Sequence, residues 1–404
     1  MTAQLLGNLA LAAADREQLH NAVMIGVEQL LPDLAAAYAG PEEMIDMPPA
    51  LLDAMEAFGA FRLQTPKRVG GLCASSETLT EAAIRVSRAN PIAGWQIIVM
   101  NSASWVASLS PSRVQQVVFA NGVPRMCAST NGSGKIRQQS DGSHVVDGAW
   151  HYASGSHYSS WATFPCVAED GVVYNVAVPM DQLRIEPTWQ VAGMRGTGSD
   201  TLVADNVVVG PDQFCSMAEL WGGASSPERQ ASAELADRWQ LWPLMRAKLL
   251  GVCVGAAQGL LDTVIATKDK PILYTSHARR ADSSMFQAAV GRAAAKIETA
   301  RMIVMDSMRR IDNAAVEGRS MSRDECARLR GLIGLVVDLL QPTVDDLMNQ
   351  LGSSAFADKH VAQRYWRDFG SGIRHAIFHG DSSYEIAGRQ MLGVEPNLVP
   401  PEMI

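Results

Sequence analysis

The apolar residues of this chain change their period twice, and that change limits the available folds more than any single motif does. Early on they recur at steps of three and four. Leu19, Val23, Val27, Leu30 and Leu34 fall on one face of a helix. Pro32 is placed to kink or end that helix. Residues 49–61 give a second amphipathic helix after a Pro-Pro start, and residues 65–71 read as a loop. Between 121 and 214 the pattern becomes β-branched: Val145-Val146, 172–178 and 202–209 are bounded by Gly, Asp, Pro and Asn, which predicts a compact antiparallel β domain. Residues 215–238 are polar and read as a surface loop or linker. The helical period then returns. Phe286, Val290, Ala293, Ile297, Ala300, Val304, Met308 and Ile311 form one long stripe, with Arg292, Lys296, Arg301 and Arg309 off it. A last helix over 327–350 contains Pro342 and is expected to kink there. Three units follow: a helical domain (1–120), a β domain (121–214) and a helical bundle (215–404).

Charge and motifs exclude several classes of function. A net charge of −8 argues against a nucleic-acid binder and against a polybasic membrane anchor. The N-terminal segment has no basic region and is interrupted by Asp15 and Arg16, so no signal peptide is expected. Residues 249–266 carry Gln258 and Asp262 and read as a buried helix rather than a membrane span. Cysteines 73, 127, 166, 215, 253 and 326 include no CxxC pair, which predicts reduced thiols in the cytoplasm and neither a zinc site nor a redox dithiol. There is no HExxH and no two-histidine, one-carboxylate triad, so no metal is expected. Gly193 to Gly198 lacks the GxGxxG pattern and precedes a strand. Gly132-Ser-Gly-Lys135 fails as a phosphate loop because Ser129 stands where its first glycine belongs. No nicotinamide site is found.

Several segments carry a resemblance that runs in order over nearly the whole chain. They are Ala60-Phe-Arg-Leu63 with Pro66 and Gly70-Gly71, Gly148-Ala-Trp-His-Tyr-Ala-Ser-Gly155, the segment from Trp189 to Ser199, Gln363-Arg-Tyr-Trp-Arg-Asp368, His375, and Ser383-Tyr-Glu-Ile-Ala-Gly388. Together they resemble the two-component flavin-dependent monooxygenases with the acyl-CoA dehydrogenase fold, a family whose members oxidise phenols, dibenzothiophene or indole. The resemblance implies a mixed α and β fold, with an N-terminal helical domain, a middle antiparallel β domain and a C-terminal helical bundle. The flavin would lie between β domain and bundle. It implies reduced flavin (FADH2 or FMNH2) and O2 as cofactors, a C4a-hydroperoxide, and an aromatic or heteroaromatic substrate. It also implies a separate NAD(P)H-dependent flavin reductase and a homotetramer, for which the Phe286–Ile311 stripe offers apolar surface.

The same resemblance assigns site residues. Ser154 lies between Ala153 and Gly155 just after a predicted strand, where glycine lets the backbone approach a flat ring. The resemblance sets the Ser154 hydroxyl beside flavin N5; read alone, the serine caps a turn. Backbone amides of Cys127, Ala128 and Ser129 are offered to the flavin pyrimidine, or else form an ordinary buried strand. Trp95 joins this cofactor set. His375, seven residues beyond Asp368, is expected to face the substrate and take a phenol or indole proton; alone it reads as a surface or core histidine. His379, at i+4, is expected to share the site, and His157 and Tyr158 to line it. Several relatives carry a second histidine where this chain reads Asn101-Ser-Ala-Ser-Trp105, so Asn101 and Ser102 are expected to bind substrate by hydrogen bonds instead. Two alternatives remain: an N- or S-oxidising member of the family, and an acyl-CoA dehydrogenase. The dehydrogenase needs a carboxylate base near Ala376, and Tyr384-Glu385 comes too late to supply it.

Overall fold

The computed structural model describes residues 3–40, 46–222, 227–395 and 397–399. Helix α1 (Ala3–Ala39) carries Pro32 inside it and continues, so this proline does not end the helix. Helix α2 (Pro49–Ala57) has proline in its first turn, where the missing N–H costs nothing. It stops four residues short of the expected end. Helix α3 (Ser76–Ala89) opens with the Ser75 hydroxyl accepting from the Thr78 amide. Asn90 both closes α3 and opens α4 (Pro91–Ser108): its amide donates to Val86 O, and its side chain accepts from the Ala93 amide. The short α5 (Ser112–Val118) leads to the sheet.

The eight strands are β1 (Met126–Ala128), β2 (Asn131–Gln138), β3 (His144–His151), β4 (Trp161–Val167), β5 (Val173–Pro179), β6 (Arg184–Glu186), β7 (Thr201–Val209) and β8 (Phe214–Ser216). They follow the order β6-β7-β3-β2-β4-β5-β8, with β1 added beside β4. The sheet is mixed rather than purely antiparallel. β1 runs parallel to β4, and β2 touches β4 in parallel at Lys135 and Val167, because the β2–β3 hairpin is inserted between β1 and β4. The sheet core is built on Trp150, fully buried and stacked on Phe164 with ring centroids 3.8 Å apart. Gly134 makes that possible, since a Cβ there would stand 2.0 Å from the Trp150 ring.

Apart from residues 223–226, which lie outside the described residues, 215–238 are not a loop. They form β8 and three short helices, α6 (Met217–Gly222), α7 (Pro227–Ala231) and α8 (Leu235–Arg238). Cys215, Leu220, Leu235 and Ala236 are buried from this stretch, too widely spaced to produce a periodic pattern.

Helix α9 (Leu241–Ile265) is the hub of the bundle. By length and composition it could cross a membrane, yet 78% of its apolar window is buried inside the protein. It packs on α3, on α10 (Ser284–Val316), on α11 (Arg323–Leu351) and on α12 (Val361–Gly372). The α10 stripe from Phe286 to Ile311 is consumed by this packing: Phe286, Ala293, Ile297, Ala300, Val304, Met308 and Ile311 are all buried within the chain. Each large side chain so removed from water stabilises the fold by roughly 1.5–3 kcal/mol. Helix α11 begins with a reciprocal Ser322–Glu325 capping box and runs on past Pro342 to Leu351. The final helix, α13 (Gly380–Met391), lies against α11.

Candidate active site

Helix α4 meets β1, α12 and the turn at residues 195–197, while β1 also touches the turn at 156–158. Local backbone geometry sets up this junction. After β3 the chain enters the left-handed region at Tyr152 (φ 60°) and again at Gly155 (φ 87°), which turns Ser154 out of the sheet. The turn is pinned by two backbone bonds: Ala153 N donates to Asp200 O at 3.1 Å, and Gly155 N to Thr197 O at 2.8 Å. A Cβ at Gly155 would stand 2.8 Å from Gln96 Oε1, so α4 approaches here only because the side chain is absent.

Ser154 is half-buried, and its hydroxyl joins four segments. Trp95 Nε1, from α4, donates to Ser154 Oγ at 3.3 Å. Ser154 Oγ lies 2.7 Å from Ser199 Oγ, which lies 2.7 Å from Thr197 Oγ1. Thr197 Oγ1 donates to Met194 O at 2.8 Å. The Met194 amide donates to Asp368 Oδ1 at 2.5 Å, and the Tyr38 hydroxyl donates to Asp368 Oδ2 at 2.8 Å. Burial pushes the Asp368 carboxyl up to about 6, against these hydrogen bonds.

His375 stands across from Trp95, with ring centroids 5.9 Å apart, and is flanked by Phe378 at the same distance. Solvent reaches the ring, but the surrounding protein desolvates it and holds its pKa below the usual histidine value. Its Nδ1 accepts from the Ile377 amide at 3.3 Å. A Cβ at Gly372 would meet Met194, Trp95 and Cys253 within 3.7 Å, so the end of α12 closes directly over the Trp95 side of the recess.

The structure thus gathers Trp95, Ala153, Ser154, Gly155 and His375. Ser129 N donates to Thr163 O at 3.1 Å, so strand alternation turns the Ala128 amide to the opposite edge of β1, which has no strand partner among the described residues. The Ser129 hydroxyl donates to His151 O at 2.6 Å, and the Cys127 thiol lies in the sheet core 3.7 Å from Met180 Sδ. Burial pushes that thiol up to about 12.

Other expected residues are committed elsewhere. Asn101 is fully buried: its Oδ1 accepts from Gln64 N, and its Nδ2 donates to Ala60 O and Ile97 O. Ser102 donates to Ile98 O at 2.6 Å. These two support the backbone instead of presenting polar atoms to a ligand. His157 bridges Asp46 at 2.8 Å and Asp200 at 2.7 Å. Burial pulls its pKa down, but the two carboxylates outweigh this and raise it. The Tyr158 hydroxyl donates to Gly196 O at 2.7 Å and accepts from Met47 N at 3.1 Å. His379 caps α13, accepting from Ser382 N. The chain leaves α12 at Gly372 and forms a 3-10 turn over Ala376–Phe378, so the i+4 spacing does not put His375 and His379 on one helix face.

A separate cavity of about 190 Å³ is lined by Tyr38, Asp46, Asn90, Arg195, Arg364 and Asp368 among others. Trp95, Ser154 and His375 are not part of its wall.

Known proteins resemble the chain over most of its length. Residues 249–379 match the family described as acyl-CoA dehydrogenase, C-terminal domain. The FADH(2)-dependent resorcinol hydroxylase oxygenase component of Rhizobium sp. (strain MTP-10005) is 27% identical over 88% of this chain and 90% of its own length. The flavin-dependent monooxygenase oxygenase subunit HsaA of Rhodococcus jostii (strain RHA1) is 24% identical over 91% and 97%. The structure of XiaF from Streptomyces sp. in complex with FADH2 and glycerol superposes with a TM-score of 0.88 at 26% identity, covering 96% of this chain and 99% of that one. Over nearly its whole length the chain is similar to flavin-dependent monooxygenases, and its fold is that of the acyl-CoA dehydrogenases.

The polar groups left over at the site suit such a cofactor. Gln96 donates from Nε2 to Thr197 O at 2.9 Å, while its buried Oε1 has no partner among the described residues. With Ser154 Oγ and the Ala128 amide, the chain offers both acceptors and a donor at this junction, as a flavin ring with N–H and carbonyl groups requires. The dehydrogenase alternative lacks its base: Ala376 carries no acid, and Glu385 pairs with Arg389 at 2.8 Å on α13. Gln96 and Asp200 had no signal in the sequence, and Thr197 and Ser199 lay in a resembling segment without a role of their own. Their roles depend on three segments meeting, and the glycines around Thr197 draw attention to phosphate binding instead.

Proposed function

We propose that this monooxygenase inserts one atom of O2 into an aromatic or heteroaromatic small molecule held between Trp95, Ser154 and His375. The carrying observation is the Ser154 hydroxyl, turned out of the sheet and tied to Trp95, whose ring in turn faces the desolvated His375 imidazole. Reduced flavin, when bound, supplies the activation of O2.

The chain's own residues orient, shield and handle protons. Ser154 Oγ and Gln96 Oε1 accept hydrogen bonds, and the Ala128 amide donates one. Trp95, Met194 and Phe378 keep water away from the reacting atoms. With Nδ1 accepting from Ile377, the neutral His375 ring carries its proton on Nε2. In that tautomer it donates to the oxygen of a phenol that has lost its proton to solvent, and so stabilises the phenolate; taking the proton itself, the role expected from sequence, requires the ring to turn.

Reduced flavin arrives from a separate NAD(P)H-dependent reductase. The relatives named above as an oxygenase component and an oxygenase subunit support that division of labour. Six free, buried cysteines fit a reducing cytoplasm. We also infer a homotetramer, though not through the α10 stripe, which the chain uses internally.

The test is anaerobic loading with reduced FMN or FAD, then O2 in the presence of resorcinol or indole as probe substrates. Incorporation of one labelled oxygen atom from O2 into either probe supports the reading. Bleaching of the oxidised flavin by an acyl-CoA thioester, with no oxygenated product, would overturn it.

A further inference from the structure

Ser154, Ser199 and Thr197 have one hydroxyl proton each, and the far end of their chain is fixed. Thr197 donates to Met194 O, a carbonyl that can only accept. Thr197 then has no proton left for Ser199, so Ser199 donates to Thr197. By the same count Ser154 donates to Ser199. At the near end the Trp95 indole N–H, which can only donate, reaches Ser154 Oγ. Thr197 is 1% exposed and Ser199 3%, so water does not compete for these bonds. Ser154 therefore spends its proton inside the protein and keeps one unused lone pair.

We propose that this one-way hydroxyl chain selects the redox state of the flavin, with Ser199 and Thr197 as positioning residues that hold Ser154 as an acceptor. The inference rests on the reading that Ser154 meets flavin N5. In reduced flavin N5 carries an N–H, which an acceptor matches. In oxidised flavin N5 is bare, and two lone pairs face each other. The chain thus favours the incoming reduced cofactor and releases the spent one.

The test measures binding of oxidised and anaerobically reduced FMN, with FAD in parallel, to wild type, Ser199→Ala, Thr197→Val and Ser154→Ala. In Ser199→Ala the Ser154 proton loses its acceptor and is free to turn to the flavin. Thr197→Val keeps both serines but lets Ser199 donate back to Ser154, which reverses the chain. In either variant the preference for reduced over oxidised flavin falls by about three- to tenfold, the weight of one neutral hydrogen bond. A tenfold loss lowers the two-electron potential of the bound flavin by about 30 mV. Ser199→Thr, which keeps a hydroxyl, restores the preference. A merely structural defect weakens both redox states alike. An unchanged ratio in Ser199→Ala and Thr197→Val, with a shifted ratio in Ser154→Ala, overturns the hydroxyl chain and leaves Ser154 at the flavin. If Ser154→Ala changes neither affinity, Ser154 does not meet the flavin and the inference falls with it. Thr197→Val carries the test alone if Ser199→Ala does not fold.

Discussion

Replacing His375 separates a hydrogen-bond donor from a proton acceptor. Its Nδ1 is engaged by the Ile377 amide, which leaves Nε2–H as the ring's free polar group. A hydrogen bond to a charged phenolate is worth about 1.5–3 kcal/mol, so His375→Ala slows hydroxylation by about 10- to 150-fold. Loss of a general base costs about 10²–10⁴-fold. Asparagine caps a turn as histidine does here and still offers an N–H, so His375→Asn recovers most of the activity if donation is what matters. Desolvation holds the histidine pKa below its ordinary value of about 6.5, so the ring is neutral at pH 7; the imidazolium keeps its Nε2–H, so protonating His375 below that value leaves donation intact, whereas a proton-accepting role would be lost there. The assay follows product and hydrogen peroxide against oxygen consumed, with a phenol the wild type hydroxylates. Both variants should consume oxygen normally and lose the difference as peroxide. Equal damage in both, with rescue at high pH, would instead show that His375 accepts a proton. Wild-type coupling in His375→Ala would remove the residue from the reaction.

Ser154→Ala removes the one hydroxyl offered to the cofactor and should raise peroxide leakage by up to about tenfold, the weight of one neutral hydrogen bond; stopped-flow decay without substrate reads it, and an unchanged lifetime would count against the site. Gly155→Ala sets a Cβ 2.8 Å from Gln96 Oε1 at a backbone φ of +87°. It should cost about 1–3 kcal/mol in urea unfolding and weaken flavin binding, and an unchanged midpoint would contradict the strain. Asp312 is buried in α10, accepts from Ser76 N, Glu77 N and Trp239 Nε1, and has its carboxyl pushed up to about 6 by burial. Its folded pKa lies above the unfolded one, so its contribution is complete below the unfolded value and is lost as pH rises through about 6. Wild type should lose on the order of 3 kcal/mol relative to Asp312→Asn between pH 4 and 7, and parallel unfolding curves at the two pH values would refute the assignment.

Some of the fold was legible because its residues carry a local period. β5 and β7 are β-branched runs, and the α10 stripe repeats at helical spacing. β2 was hidden because Asn131–Gln138 is glycine-rich and largely exposed; Gly134 makes room for the Trp150 ring and Gly132 for the Ala149–Trp150 backbone. β4 was hidden by Pro165, which argues against a strand inside a sheet. It is tolerated because it falls between Thr163, the last partner of β1, and Val167, the single partner of β2, where no N–H is required. At the site, Ser154 and His375 were proposed through family resemblance. Asn101 and Ser102 were misassigned because polar residues on a buried helix satisfy themselves on nearby backbone. The partners of Ser154 come from distant segments, and no spacing rule links Trp95, Ser154 and Ser199.

Asp368 has a consequence for biosynthesis. It holds Tyr38, 330 residues upstream, and Met194, 174 residues upstream, on one carboxylate. The nascent chain can build its sheet and much of its bundle early, but neither α1 nor the turn carrying Thr197 has its final anchor until residue 368 has left the ribosome. Closing so long a loop is entropically slow, though the cost grows only with the logarithm of its length. The recess is therefore among the last parts to set, and a chain arrested before α12 is complete leaves Tyr38 and the Met194 amide without their acceptor.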